Sequence, residues 1–218
     1  MKKKGLLILT ILSACMLFAG CSDTSSHSRG VYMLMDTSGT YKNELKKACS
    51  IIYYLLGTLK PGDSLGVARI DTGSFSEKDI IAKKTFDKRP SVSNQQKRLF
   101  KDKVDRFVAA VKGSSYTDIS GGILQAVEYL NETEAGKKYI LIFSDLKEDL
   151  GKGYVRDFEI KMPDVHIVAL NVTKLRSDNF DPREYMNRLE YWKKRAQDGG
   201  ATWRVVNDLE RLDAILVD

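Results

Sequence analysis

The stretch that decides the fold is VYMLMDTSGT, residues 31–40. Its first five residues are apolar, and such a run is too short for a buried helix. Residues 31–35 are therefore predicted to form a central strand that is covered on both faces. Polar side chains follow where this strand ends, in a turn before an amphipathic helix. Because ligands bind at the carboxyl ends of the strands in parallel α/β sheets, this turn is predicted to form a binding site.

Three side chains of this turn carry oxygen atoms that can converge. Alternate residues of an extended segment point the same way, so Asp36, Ser38 and Thr40 can direct their oxygens at one point, while Gly39 lets the chain turn. Hard cations such as Mg²⁺ prefer an all-oxygen shell that leaves positions for water or a partner. The same residues are also typical of an ordinary helix start, because Ser and Thr cap helices and an Asp suits the helix dipole.

Two later stretches add oxygen ligands at matching positions. GSSYTD, residues 113–118, is a polar loop that opens a helix, and YILIFSD, residues 139–145, is a second apolar strand that ends in a carboxylate. With them the pattern resembles the von Willebrand factor A domain, whose metal-ion-dependent adhesion site takes its ligands from three successive loops. The resemblance covers residues 29–218. It implies a metal site at these positions: Asp36, Ser38, Thr40, Thr117 and Asp145.

The sequence departs from this family at two positions. Thr40 stands where a second Ser is more usual, which keeps the hydroxyl ligand and adds only a methyl group. Leu146 follows Asp145 where a Gly is common. This second change bears on the conformation of the third loop but leaves its carboxylate in place.

The remaining sequence alternates between strand and helix patterns, which predicts a doubly wound (Rossmann-like) α/β fold. We expect a mostly parallel six-stranded sheet with helices on both faces, and the family resemblance places the third strand at an antiparallel edge. Strands are predicted at residues 31–35, 64–70, 80–86, 139–144, 165–172 and 202–206, and helices at residues 45–59, 93–112, 119–131, 182–198 and 208–216.

The first 28 residues are typical of a targeting segment. Three lysines at positions 2–4 precede an apolar run that ends in LFAGC, residues 17–21, which resembles a bacterial lipobox. We expect residues 1–20 to be a lipoprotein signal peptide, Cys21 to carry the lipid and residues 22–28 to be a flexible tether. An uncleaved anchor helix is the alternative, although the apolar run is shorter than the roughly 20 residues that span a bilayer. Either reading predicts a protein tethered in the cell envelope, on its periplasmic or cell-surface face.

Charge and cysteine content exclude some function classes. The formal charge of +6 includes the three signal lysines, and the rest is too mild to indicate nucleic-acid binding. Cys49 has no partner once Cys15 leaves with the signal and Cys21 carries lipid, so it is predicted to be a buried, inert thiol.

The sequence shows no nucleophile–base arrangement, P-loop, dinucleotide-binding motif or zinc-ligand spacing. The predicted function is therefore a non-enzymatic, metal-dependent protein-binding module of adhesion or scaffold type. Ser38, Thr40 and Thr117 are expected to bind Mg²⁺ directly, with Mn²⁺ or Ca²⁺ as substitutes, and Asp36 and Asp145 to act directly or through water. The ion would accept an acidic side chain of a partner protein.

Two other functions stay open at this point. DTSGT, residues 36–40, approaches the first motif of haloacid-dehalogenase-like phosphatases, in which Asp36 would be a Mg²⁺-dependent nucleophile and Ser144 the second motif. Ser38 stands where that family usually has a second carboxylate. The third reading is a degenerate domain that binds no metal and serves only as a scaffold.

Overall fold

The fold is described from a computed structural model, which covers residues 27–39, 41, 44–73, 75–210 and 212–216. The predicted signal peptide, Cys21 and Thr40 lie outside the described residues.

The described residues form six strands and four helices. The strands are β1 (Arg29–Met35), β2 (Ser64–Arg69), β3 (Ile80–Thr85), β4 (Lys137–Phe143), β5 (Val165–Leu170) and β6 (Thr202–Val206). The helices are α1 (Leu45–Thr58), α2 (Pro90–Ala110), α3 (Ile119–Glu132) and α4 (Pro182–Asp198), with short 3₁₀ turns at Glu77–Asp79, Ser177–Asn179 and Leu212–Ala214.

The strands form one sheet in the order β3-β2-β1-β4-β5-β6. Only the pairing of β2 with β3 is antiparallel, so the predicted six-stranded, doubly wound sheet with an antiparallel edge is confirmed. The chain winds outward from β1 to β3 and then returns to β4 on the other side of β1. The point where strand order reverses therefore lies between β1 and β4, which is where ligands bind in open α/β sheets.

Both faces of β1 are buried, as its unbroken apolar sequence predicts. Val31, Met33 and Met35 pack in the cluster that includes α1 and α2, and Tyr32 and Leu34 pack in the cluster that includes α3 and α4. The two helical layers hold the central strand between them, so the ends of β1 and β4 are rigid positions from which to build a site.

The chain after β6 departs from the predicted helix at residues 208–216. Within the described part of this segment there is a turn at Leu209 and a 3₁₀ turn at Leu212–Ala214. Its apolar residues still pack on the core, and Ile215 is fully buried. The physical reason is length, because a helix this short gains too few hydrogen bonds to offset its nucleation.

Cys49 is buried, as the sequence predicts. Trp192 is also buried, and the His166 ring lies 2.9 Å from the Thr202 hydroxyl and stacks on Tyr139. None of the helices in the described ranges is long and apolar enough to cross a membrane.

Candidate metal centre

The first loop of the site begins directly after β1. The Asp36 N–H donates to the Phe143 carbonyl at 2.9 Å and so extends the pairing of β1 with β4 by one residue. The Asp36 carboxylate is fully buried, and its two oxygens accept hydrogen bonds from the Ser38 N–H at 2.9 Å and from the Ser144 hydroxyl at 2.8 Å. These two bonds fix the carboxylate between the first and third loops.

Two glycines bring the first and second loops together. The Gly39 N–H donates to the Ser114 carbonyl at 2.8 Å, and a Cβ atom on Gly113 would lie 3.1 Å from the Gly39 Cα atom. Such a distance is tighter than ordinary van der Waals contact, so a larger residue at 113 would force the loops apart. The close approach places Ser38 beside the loop that carries Thr117.

The second loop holds Thr117 through its backbone. The Thr117 N–H donates to the Asp149 carbonyl at 2.7 Å, and the Asp149 N–H donates to the Thr117 carbonyl at 2.9 Å. The next residue, Asp118, is fully buried and accepts hydrogen bonds from the Gly121 N–H and from the Arg156 guanidinium. Thr117 is thus held between the start of α3 and the long connection after β4.

The third loop carries Asp145, which is 4% exposed, at the end of β4. Its Oδ1 atom accepts a hydrogen bond from the Lys147 N–H at 2.9 Å. Leu146 has a φ of 66°, in the left-handed region that favours Gly. Leu146 therefore adopts the backbone conformation for which a Gly is the usual choice, and its buried side chain packs in the core.

Residues of α4 and of the loop after β5 brace this third loop. The Trp192 indole N–H donates to the Leu146 carbonyl at 3.0 Å, and Arg188 Nε donates to the Asp145 carbonyl at 3.3 Å. The Arg188 guanidinium also pairs with the buried Asp178 carboxylate at 2.7 Å, and Asp178 in turn accepts from the Leu175 N–H. One arginine therefore ties the Asp145 loop to the loop that carries Leu175.

The three loops surround one cavity of about 350 Å³ at the carboxyl end of the sheet. Asp36 does not line this cavity, but its carboxylate accepts the N–H of Ser38, which does line it. The residues that line the cavity come from all three loops and from the segment after β5: Ser38, Gly39, Ser114, Ser115, Thr117, Asp145, Lys147, Asp149 and Leu175.

The electrostatics of the site are those of two buried carboxylates close to each other. Burial raises the pKa of Asp36 to about 6, against the lowering effect of its hydrogen bonds with Ser38 and Ser144, and the nearby Asp145 raises it further. Burial also raises the pKa of Asp145, although Arg188 and Lys147 oppose the rise. A cation beside both carboxylates would relieve this cost, because it favours their charged forms.

The donor set fits a hard divalent cation. Two hydroxyls and two carboxylates come from three loops, and oxygen ligands of this kind suit Mg²⁺, Mn²⁺ and Ca²⁺. Within the described ranges no group of three or more His, Cys, Asp or Glu side chains could hold a metal.

Four of the five predicted ligands are described, and the structure brings the loops of all four together. Sequence reasoning did not predict the role of Ser144 in holding Asp36, nor the bracing by Arg188. Ser144 precedes Asp145 directly after β4, so its position at the end of that strand could have indicated a role at the site. Arg188 had no such signal, because its contact with the loop arises only when α4 packs on the sheet.

A further contact joins the first loop to the end of β5. The Tyr41 hydroxyl donates to the Asn171 carbonyl and accepts a hydrogen bond from the Asn171 amide at 2.8 Å. The Tyr41 ring also packs edge-on against Phe143, with ring centroids 5.1 Å apart. The chain after Asp36 is thereby fixed to the sheet before α1 begins.

No protein-family model and no curated protein matches the sequence. Solved structures do match. The von Willebrand factor type A protein from Catenulispora acidiphila is similar with a TM-score of 0.54 and 14% identity, over 87% of this chain and 41% of that one. The pilus adhesin SpaC from Lactobacillus rhamnosus GG is similar with a TM-score of 0.54 and 9% identity, over 88% of this chain and 29% of that one.

This chain therefore spans less than half of either of those two structures. An aerotolerance-related membrane protein from Bacteroides fragilis is also similar, with a TM-score of 0.47 and 14% identity, over 86% of this chain and 96% of that one. At these identities the likeness is one of architecture. The sheet order and the match to the Catenulispora structure together show that the chain has the fold of a von Willebrand factor type A domain.

Proposed function

We propose that this chain is a divalent-cation-dependent protein-binding module held at a membrane surface. One observation carries the proposal: the loops after β1, before α3 and after β4 meet at a single cavity, which is lined by Ser38, Thr117 and Asp145. The cavity lies where the strand order reverses, the usual ligand position in this architecture.

The residues around the ion divide into two roles. Ser38, Thr40 and Thr117 would bind the cation directly through their hydroxyls. Asp36 and Asp145 would bind it directly or through water. Asp36 would also hold Ser38 in place, which is supported by the hydrogen bond from the Ser38 N–H to the Asp36 carboxylate.

The charge balance of this site favours an acidic partner. An ion bound mainly by neutral hydroxyls keeps much of its positive field, and a carboxylate from another protein can fill an open coordination position. The similarity in fold to a pilus adhesin supports protein binding as the type of function, but it does not indicate which protein is bound.

The phosphatase alternative has weaker support in the geometry. A nucleophilic carboxylate needs an oxygen that faces the substrate. Both oxygens of Asp36 accept hydrogen bonds from the protein, and the residue is fully buried. Release of phosphate from an aryl phosphate, lost in Asp36→Asn, would establish that alternative instead.

Calorimetric titration of the chain with Mg²⁺ and with Mn²⁺ tests the proposal. One binding site is expected in the wild type and none in Asp36→Ala. Asp87→Asn is the matched control, because Asp87 is a carboxylate after the far end of β3, and it should bind the ion as the wild type does. Full metal affinity in Asp36→Ala would refute the site. Absence of binding in the wild type would favour the scaffold reading.

We propose further that residues 1–20 are removed, that Cys21 is lipidated and that residues 22–28 tether the domain. Labelled palmitate should enter the wild type but not Cys21→Ser, and the mature protein should begin at residue 21. An unlabelled wild type that keeps its first residues would identify the uncleaved anchor helix instead.

A further inference from the structure

A groove runs along the boundary between β3 and α2, at the antiparallel edge of the sheet. One part of it is an open cleft of about 570 Å³, larger in volume than the cavity at the candidate metal centre. Apolar side chains and cations line it together: Arg69, Lys78, Asp79, Ile80, Ile81, Lys103, Arg106 and Phe107.

The charges of this cleft are not balanced. Its carboxylate, Asp79, is buried and already accepts hydrogen bonds from Arg69, Thr72 and Ser76. Lys78, Lys103 and Arg106 are exposed, and none of them pairs with a carboxylate in the part of the chain that the structure describes. The cleft therefore presents three uncompensated cations above an apolar floor.

The groove continues beyond the cleft. A second hollow of about 220 Å³ shares Lys103 with it and is lined by the neighbouring stretch of β3, including Ala82 and Lys84, and by α2. Leu99, on its α2 side, is 57% exposed. Together the two hollows follow β3 for five residues, from Ile80 to Lys84, which is about 16 Å of extended chain.

The groove opens close to the candidate metal centre. Ile80 at the start of β3 pairs with Ala68 of β2, and the next residue of β2, Arg69, pairs with Met35, which precedes Asp36. Neighbouring strands lie about 4.8 Å apart, so the start of β3 is about 10 Å from the end of β1. A ligand at the ion could extend into the groove.

We propose that this groove binds an acidic, extended peptide segment of the partner protein. Carboxylates of the segment would pair with Lys78, Lys103 and Arg106, and its alternate apolar side chains would pack on Ile80, Ile81 and Phe107. Exposed cations beside apolar side chains, along five residues of one strand, match the charges and the extended shape of such a segment. This inference rests on the proposed function, because the same partner protein would supply the carboxylate that reaches the ion.

The test uses the full chain in non-ionic detergent and a fluorescent Glu-Leu-Glu-Leu-Glu-Leu-Glu peptide, with a chelator present so that the metal centre contributes nothing. Fluorescence anisotropy should show binding that weakens with salt and falls at least tenfold in the double variant Lys103→Glu/Arg106→Glu. Lys46→Glu/Lys60→Glu is the matched control: it makes the same charge change at exposed lysines on α1 and just after it, and should bind within twofold of the wild type.

Three outcomes would overturn the proposal. The first is no binding to the wild type at millimolar peptide, and the second is an equal loss in both double variants, which would show attraction by net charge alone. The third is binding to vesicles of phosphatidylglycerol, but not to the peptide, that depends on Lys103 and Arg106. Because these measurements need no metal, their failure would leave the ion-binding proposal to its own test.

Discussion

Asp36 is a buried carboxylate that accepts one hydrogen bond from its own loop and one from Ser144. Those bonds favour its charged form, whereas burial and the nearby Asp145 favour the protonated form. Burial has the larger effect, because the pKa of Asp36 is raised to about 6. In the metal-free protein this residue is therefore a source of instability at neutral pH, and a bound cation would remove that cost.

In the metal-free protein, the contribution of Asp36 to the free energy of unfolding should fall as the pH rises. Folded Asp36 binds its proton more tightly than the unfolded chain, for which the pKa is 3.8. Protonated Asp36 contributes its full share to the free energy of unfolding below pH of about 4. This share is lost as the pH passes about 6, a change of at most about 3 kcal/mol. Urea denaturation in chelator, from pH of about 4 to about 8, should show this fall in the wild type relative to Asp36→Asn. A wild type that gains stability relative to the variant over that window would contradict the account.

Ser144 should matter for the ion although it does not line the cavity. Ser144→Ala removes a hydrogen bond to the buried Asp36 carboxylate, which costs about 1.5–3 kcal/mol and frees Asp36 to shift, and it also removes the acceptor of the Leu146 N–H. Both the free energy of unfolding and the Mg²⁺ affinity are expected to fall.

Ser93→Ala is the matched control for this prediction. Ser93 lies on α2, and its buried hydroxyl has no hydrogen-bond partner among the described residues. Its removal should leave both quantities unchanged or slightly raise the stability. Equal losses in the two variants would show that the Ser144 bond has no special role.

The loop after β4 is the element in which packing overrides backbone preference. Leu146 takes a left-handed conformation with φ of 66°, which costs a non-glycine residue about 1–2 kcal/mol. Its side chain is 1% exposed and packs in the core, and burial of a leucine repays more than that strain. This is how a leucine can occupy a position where the family commonly has a Gly.

Substitutions of Leu146 should reverse the usual order of Ala and Gly. Both Leu146→Ala and Leu146→Gly lose the buried side chain and should be less stable than the wild type, by about 2–5 kcal/mol for Ala. Only Gly also relieves the backbone strain, so Leu146→Gly should be about 1 kcal/mol more stable than Leu146→Ala. Chemical denaturation of the two variants measures the difference, and a more stable Ala variant would show that the loop has left the left-handed conformation.

The contact of the first loop with the second can be tested at Gly113. A methyl group there would meet the Gly39 backbone at 3.1 Å and weaken the bond from the Gly39 N–H to the Ser114 carbonyl. Gly113→Ala should therefore reduce Mg²⁺ affinity by roughly fivefold, about 1 kcal/mol. Gly57→Ala is the control, because its added methyl group would meet no described atom within 4 Å outside its chain neighbours and the adjacent backbone of α1. That variant should keep the affinity and stabilise α1 by about 0.5–1 kcal/mol.

For the whole molecule, the sequence predicts the features of the fold that follow from the pattern of buried residues. The unbroken apolar runs of β1 and β4 predict central strands. The strand and helix patterns in the rest of the chain predict an α/β sheet around them. The segment at residues 208–216 was mispredicted, because its leucines repeat like those of a helix, whereas a segment of about nine residues forms too few hydrogen bonds to offset helix nucleation.

The residues of the candidate site also fall into a predictable group and an unpredictable one. Asp36, Ser38, Thr117 and Asp145 could be predicted because they follow strands or open a helix, positions that the sequence marks. Leu175 and Arg188 could not, because they reach the site from distant segments once the sheet order and the docking of α4 are fixed. Tertiary placement of this kind leaves no periodic signal in the chain.

One divalent cation should bind where the three loops meet. Diffraction from crystals grown with Mn²⁺, recorded at the manganese absorption edge, would locate this ion. A single anomalous peak is expected in the cavity between Ser38, Thr117 and Asp145, and it should be absent from crystals of Asp36→Ala. A peak elsewhere on the molecule, or no peak at saturating Mn²⁺, would contradict this prediction.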